Sequence, residues 1–218
     1  MQALRHTAVI AAALLITATA QAASVVVNGS LNGQTENNAV PVGWTILQGT
    51  PDLMDALDNV GLPNTTRFGA APKASPDGGT WVGLGADTGL VERFGQVLNG
   101  LTVGQEYTVS WLAGNFGYDG GRIQYLGANA IDVLINGVSV GQGAKLALGS
   151  DWYSQSVSFV ATGASQQLSF KLATADKAYM SIDGIAVQAV PEPATWMLMG
   201  ISLAGLAVVT RRGQRTVG

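Results

Sequence analysis

Glu106-Tyr107-Thr108-Val109-Ser110-Trp111-Leu112-Ala113 is the stretch on which the reading of the fold turns. Tyr107, Val109, Trp111 and Ala113 share one side at a period of two, while Glu106, Thr108 and Ser110 share the other. A period of two belongs to a strand with one face against a core and one toward water. Working outward, Ile131, Val133 and Ile135 alternate with Asp132 and Asn136. Val157, Phe159, Leu168, Phe170 and Leu172 oppose Ser156, Ser158, Ser169 and Lys171 in the same way. Asn136-Gly137 can supply the positive φ values of a tight turn, which makes a hairpin of Ile131 to Ile135 with Val138 and Val140. In the last run the inward set Met180 and Ile182 changes parity after Asp183-Gly184 to Ile185 and Val187, and a glycine at such a slip predicts a bulge.

Strands are predicted over residues 24–27, 42–48, 80–85, 90–98, 105–113, 130–135, 154–161, 167–174 and 178–189. Gly, Asn and Asp punctuate them, and no helical period persists for three turns between the two ends of the chain. The expected fold is all-β, with two packed antiparallel sheets. Asp52, Asp55 and Asp58 recur every third residue beside Leu53, Met54 and Leu57, a spacing that predicts one helical turn with a solvated acidic face.

The two ends have a different composition. Residues 1–22 begin with Arg5 and His6, continue through an apolar stretch and reach Ala20-Gln21-Ala22. This is the pattern of a secretory signal peptide, an N-terminal signal helix cleaved after Ala22. At the other end, Pro191-Glu192-Pro193 fixes φ twice and removes two backbone donors, so neither helix nor ladder passes through it. Residues 194–210 carry no charge. As a helix they would run about 25 Å, the short end of what spans a bilayer, and would form a C-terminal transmembrane helix. Arg211, Arg212 and Arg215 follow and would stay on the cytoplasmic side. The expected organisation is a signal peptide at 1–22, a β-sandwich passenger at 23–189 and a sorting segment at 190–215.

Cleavage of the leader would remove His6, the only histidine, and the chain has no cysteine. The passenger therefore excludes Cys/His zinc sites, thiol nucleophiles and serine triads with an imidazole base. Residues 23–190 carry ten Asp and three Glu against four Lys and three Arg, a net charge of about minus six. With no basic stripe to offset that charge, nucleic acid is not an expected partner.

Taken in order, Pro191-Glu192-Pro193, the apolar span and the terminal arginines resemble the PEP-CTERM sorting signal of Gram-negative bacteria. The resemblance implies recognition by an exosortase and the export machinery, an inner-membrane-anchored intermediate, and a final place at the cell surface or outside the cell. It also implies an association with exopolysaccharide or biofilm matrix. The passenger resembles a jelly-roll β-sandwich of the galactose-binding or carbohydrate-binding-module kind. The resemblance rests on Asn28-Gly29-Ser30, Gly43-Trp44, Phe94-Gly95-Gln96-Val97-Leu98, Tyr107-Thr108-Val109, Trp152 and Ile182-Asp183-Gly184-Ile185. It implies a candidate structural calcium held by Asn28 and Asp183, whose oxygens suit a hard cation; otherwise no cofactor is expected.

Sugar-binding surfaces stack aromatic faces on pyranose rings and fix hydroxyls with polar side chains. The aromatic residues of the Gly-rich segments are the candidates: Trp81, Phe116, Tyr118 and Tyr125, with Asn115, Asp119 and Arg122 as polar partners. Three functions stay open: a non-catalytic exported or surface protein, a carbohydrate-binding module acting in its own right, and a polysaccharide hydrolase or lyase working with two carboxylates, for which Asp87 and Glu92 are the nearest pair.

Overall fold

The computed structural model describes residues 24–57 and 67–191. Their strands, in chain order, are β1 (Thr45–Gln48), β2 (Asp52–Met54), β3 (Trp81–Asp87), β4 (Leu90–Val91), β5 (Arg93–Asn99), β6 (Glu106–Gly114) and β7 (Tyr118–Asp119). They continue as β8 (Gln124–Tyr125), β9 (Ile131–Ile135), β10 (Val138–Gln142), β11 (Tyr153–Val160), β12 (Ser165–Leu172) and β13 (Ala178–Ala189). No helix occurs among the described residues, so none there is long and apolar enough to cross a membrane. The predicted signal helix and transmembrane helix lie outside the described residues.

Two antiparallel sheets face each other. One has the order β1-β5-β12-β9-β10; the other runs β11-β6-β13-β3-β2, with β4 added beside β3. Between them lies a core that takes Val82, Leu84, Val109, Trp111, Met180 and Ile182 from one sheet and Phe94, Leu98, Val133, Leu168 and Phe170 from the other. Phe170 lies 5.7 Å from Phe94 and 6.1 Å from both Trp44 and Trp111, ring centre to ring centre. This is a β-sandwich, closed by burial of alternate side chains from both sheets.

Local chemistry fixes its corners. Asn136 and Gly137 both have positive φ, 51° and 80°, and join β9 to β10 with Ile135 opposite Val138. Along β13 the pairing with β6 slips between Asp183 and Ala186, and Gly184 takes a φ of 55° there, which is the bulge read from the parity change.

The structure departs from the sequence reading in three places. Residues 24–27 form no strand; Ser24 and Val25 instead bond Val187, with Val25 N–H donating to the Val187 carbonyl at 3.2 Å. The acidic turn around Asp52 is strand β2, paired with Trp81 to Gly83, and Asp52 is buried rather than solvated. A helical turn would have left that edge of β3 unpaired, and β2 supplies its ladder hydrogen bonds. Finally, Asp132, read as outward-facing, is buried by the Ser139 hydroxyl at 2.5 Å and Lys171 at 3.7 Å.

Candidate functional site

The six-stranded sheet is covered on both faces over β2, β3 and the first half of β13, while the outward side chains of β11 and β6 are exposed or half-exposed. On its outer face Trp81 (β3), Met54 (β2), Tyr179 (β13) and Phe116 form a second buried cluster, flanked by Phe68, Tyr118, Tyr125 and Trp152. Trp81, Phe116 and Trp152 meet edge to face at centroid distances of 4.9 to 6.0 Å. Gly83 makes room for this layer, since a Cβ there would come within 2.4 Å of the Tyr179 hydroxyl and the Met54 methyl.

Where this layer meets the end of β3 a cleft opens, with a volume of about 330 Å³. Tyr118, Tyr125 and Tyr179 line it on one side, and Asp52, Asp87 and Glu92 supply carboxylates. Arg67, Asn37 and Leu90 complete its rim.

The buried acids are held from within. Asp52 accepts the Tyr179 hydroxyl at 2.6 Å on one oxygen and the Asn38 N–H at 2.9 Å on the other. Glu92 accepts the Gly85 N–H at 2.6 Å on one oxygen and the Thr50 hydroxyl at 2.9 Å on the other. Burial pushes both carboxyl groups above their ordinary values, opposed by those hydrogen bonds. Tyr179 is driven well above its ordinary value by burial, then by the two neighbouring carboxylates. Every oxygen of Asp52 and Glu92 therefore accepts a bond from the fold itself, an arrangement that anchors strands more readily than it shuttles protons to a substrate.

The rim is different. Asp87 accepts the Thr88 N–H at 2.7 Å and lies 3.2 Å from the Lys177 ammonium. These two contacts hold its carboxyl below the usual range. The same ammonium sits 5.0 Å from the centre of the Tyr125 ring. Arg67 donates to the Tyr118 hydroxyl at 3.2 Å.

The residues expected to bind ligand divide sharply. Tyr118 and Tyr125 line the cleft. Trp81 and Phe116 do not present faces to solvent: each is 1 % exposed in the outer cluster, a correction to their reading as ligand-binding aromatics, because distant segments fold over the outer face. Asn115 is buried as well, with its amide donating to the carbonyls of Gly127 and Leu146 at 2.9 Å. Asp119 accepts the Gly121 N–H and the Gln124 amide and so shapes the β7–β8 hairpin. Arg122 is exposed on that hairpin and does not line the cleft. Asp52, Tyr179 and Arg67 were missed; the available signal for Tyr179 was its parity opposite to Met180 in a strand whose other outward residues include Asp183.

Asn28 and Asp183, the expected cation ligands, sit in different surroundings. Asn28 has its side chain engaged at both ends, its oxygen accepting the Asn32 N–H and its amide donating to the Asn32 and Val42 carbonyls, all at 3.1 Å. Asp183 is fully buried; one oxygen accepts the Ser75 hydroxyl, and the other has no hydrogen-bond partner among the described residues. No group of three or more His, Cys, Asp or Glu able to hold a metal occurs among the described residues.

The fold and site define a two-sheet antiparallel β-sandwich with an acidic, tyrosine-lined cleft on the outer side of one sheet. Residues 189–212 match the PEP-CTERM protein-sorting motif. That stretch contains Pro191, Glu192, Pro193, Arg211 and Arg212, and it marks the chain as an exported protein. No curated protein sequence matches the chain. Among solved structures, the cyclase Fisc of Fischerella sp. TAU, in complex with (3Z)-3-(1-methyl-2-pyrrolidinylidene)-3H-indole, is similar at a TM-score of 0.53 and 16% identity, over 79% of this chain and 100% of that one. A structure described as "CBM4 structure and function" is similar at a TM-score of 0.41 and 18% identity, over 76% of this chain and 99% of that one. The enzymatically active domain of tailspike protein 4 of bacteriophage CBA120 is similar at a TM-score of 0.46 and 16% identity, over 77% of this chain, which spans 21% of that chain. At 16% identity the likeness to the cyclase concerns the fold alone.

Proposed function

We propose that this chain is a non-catalytic exported protein, processed by an exosortase at its PEP-CTERM segment through a membrane-anchored intermediate. Its jelly-roll sandwich is then delivered to the cell surface or the medium, where it associates with exopolysaccharide or biofilm matrix. The observation that carries this reading is the junction between domain and motif. Strand β13 ends at Ala189, and Val190 is still held by the domain, donating to the Glu106 carbonyl at 2.9 Å and accepting the Gln105 amide at 2.7 Å. Pro191 is exposed directly after it. The matched motif thus begins at the last residue of the ladder, and its first proline, Pro191, is open to solvent, which supports access by a processing enzyme. Intact-mass measurement of the extracellular protein tests this: the secreted form lacks residues 196–218, and Pro191→Ala with Pro193→Ala leaves the protein in the membrane. A secreted species ending at Gly218 overturns the reading.

A second reading, binding of a carbohydrate by the sandwich itself, is favoured by the cleft. Tyr118 and Tyr125 offer rings for stacking beside carboxylates that accept hydroxyls. Retention on polysaccharide from the producing cell, weakened by Tyr118→Ala, is the expected result. The domain is proposed to work without a cofactor; a calcium titration that leaves the melting temperature unmoved is the outcome consistent with this.

A further inference from the structure

The cleft carries its own clue to the charge of its ligand. Its buried acids, Asp52 and Glu92, already accept at least one bond from the fold on each oxygen, which leaves at most one lone pair per oxygen for a ligand. The free chemistry lies at the rim, where Asp87 and the face of Tyr125 converge on one point. The protein's own Lys177 ammonium occupies that point, 3.2 Å from the carboxylate and 5.0 Å from the ring centre. A primary ammonium therefore suits this point in charge and size, with an ion pair and a cation–π contact in reach. Lys177 is half-exposed, on a long side chain whose ordering is opposed by rotamer entropy, so a ligand can displace it. Arg67, the one cation among the described lining residues, is turned to the Tyr118 hydroxyl. Across residues 23–190 thirteen acids face seven bases, a balance that disfavours anionic polymers and attracts cationic ones.

We infer that the cleft takes glycans bearing free primary amines, namely amino-sugar residues without their N-acyl groups, with the sugar ammonium replacing that of Lys177 between Asp87 and Tyr125. This rests on the carbohydrate-binding reading and narrows it: tyrosine faces hold the ring, and the rim carboxylate selects the substituent.

The test uses three hexasaccharides of one β-1,4 backbone that differ at C2: glucosamine, N-acetylglucosamine and glucose. Each is titrated calorimetrically into the full-length protein in mild detergent. The glucosamine hexamer binds at least tenfold more tightly than the other two. Asp87→Asn lowers its affinity about tenfold, leaving circular dichroism unchanged. Lys177→Met raises its affinity several-fold, because the competing ammonium is gone, and leaves the other two hexamers unaffected. A structural role for Lys177 would not produce that gain. Binding of the glucose or N-acetylglucosamine hexamer as tight as that of the amine overturns the inference and leaves the carbohydrate reading standing. Failure of all three to bind overturns both. An equal effect of Lys177→Met on all three hexamers overturns the placement of the amine.

Discussion

The two faces of the six-stranded sheet invite comparison. Along β13, Ala178, Met180 and Ile182 point into the sandwich and are fully buried. Tyr179, Ser181 and Asp183 point the other way and are 8 %, 1 % and 0 % exposed. Along this stretch both faces are dry, yet they differ in kind. The inner face packs aliphatic and aromatic side chains in register across two sheets, whereas the outer face mixes aromatic rings with hydroxyls and carboxyls and is closed by segments from distant parts of the chain. Alternation identifies opposite sides of a strand; it does not show that one side is wet.

This difference can be broken from either side. The largest effect is expected on the inner face. Phe170→Ala deletes a ring that touches Trp44, Phe94 and Trp111, and chemical denaturation should register a loss of about 3–5 kcal/mol.

On the outer face the signature is pH. Burial holds the Asp183 carboxyl up at about 7 against an ordinary 3.8, with Asp77 adding to the rise and Ser75 and the Gly184 N–H opposing it. Between those values the folded chain keeps a proton that the unfolded chain has released. Stability therefore falls as pH rises from about 4 to about 7 and levels off above, by an amount on the order of a few kcal/mol. Asp183→Asn should make the profile shallower in denaturant titrations taken from pH 4 to 8, the remainder coming from Asp52 and Glu92, whose carboxyl groups burial also raises. A profile just as steep in the variant would assign the dependence to other groups.

A smaller change is expected at Tyr179→Phe, which removes the hydroxyl given to Asp52 at 2.6 Å and leaves that buried carboxyl with the Asn38 N–H. The expected loss is about 1–2 kcal/mol by denaturant unfolding. The smallest effect tests where both layers end. Lys145 and Asp176 pair at 3.7 Å with both side chains exposed, and Lys145→Ala should leave the melting temperature unchanged within error.

How much was legible follows from the same contrast. The inner core could be read residue by residue, because Tyr107, Val109, Trp111 and Ala113 owe their burial to a period carried by the local backbone. The β9–β10 hairpin and the bulge at Gly184 were readable because positive φ has a residue signature. The outer layer was not. Trp81 and Phe116 sit among glycines and look like loop residues until Trp152 and Phe68 arrive from 71 and 13 positions away along the chain from Trp81. Asp52 carries an acidic side chain in a run with helical spacing, and its place was decided by the need of β3 for a partner strand. Of the cleft, Tyr118 and Tyr125 were foreseen as candidates and Asp87 and Glu92 as a pair of acids, but nothing local tied the two sets together.

The sequence by itself determined the sheet class, the inward faces, the turn positions and the sorting motif that follows the last strand, since each is written in neighbouring residues through periodicity, φ preference or an uninterrupted apolar run. The tertiary structure alone decided that the second face of the sheet is covered over β2, β3 and the first half of β13, and that three tyrosines and three carboxylates meet in one cleft. Those outcomes depend on contacts between segments far apart in the chain, and a one-dimensional pattern does not encode which segment arrives to fill a given surface.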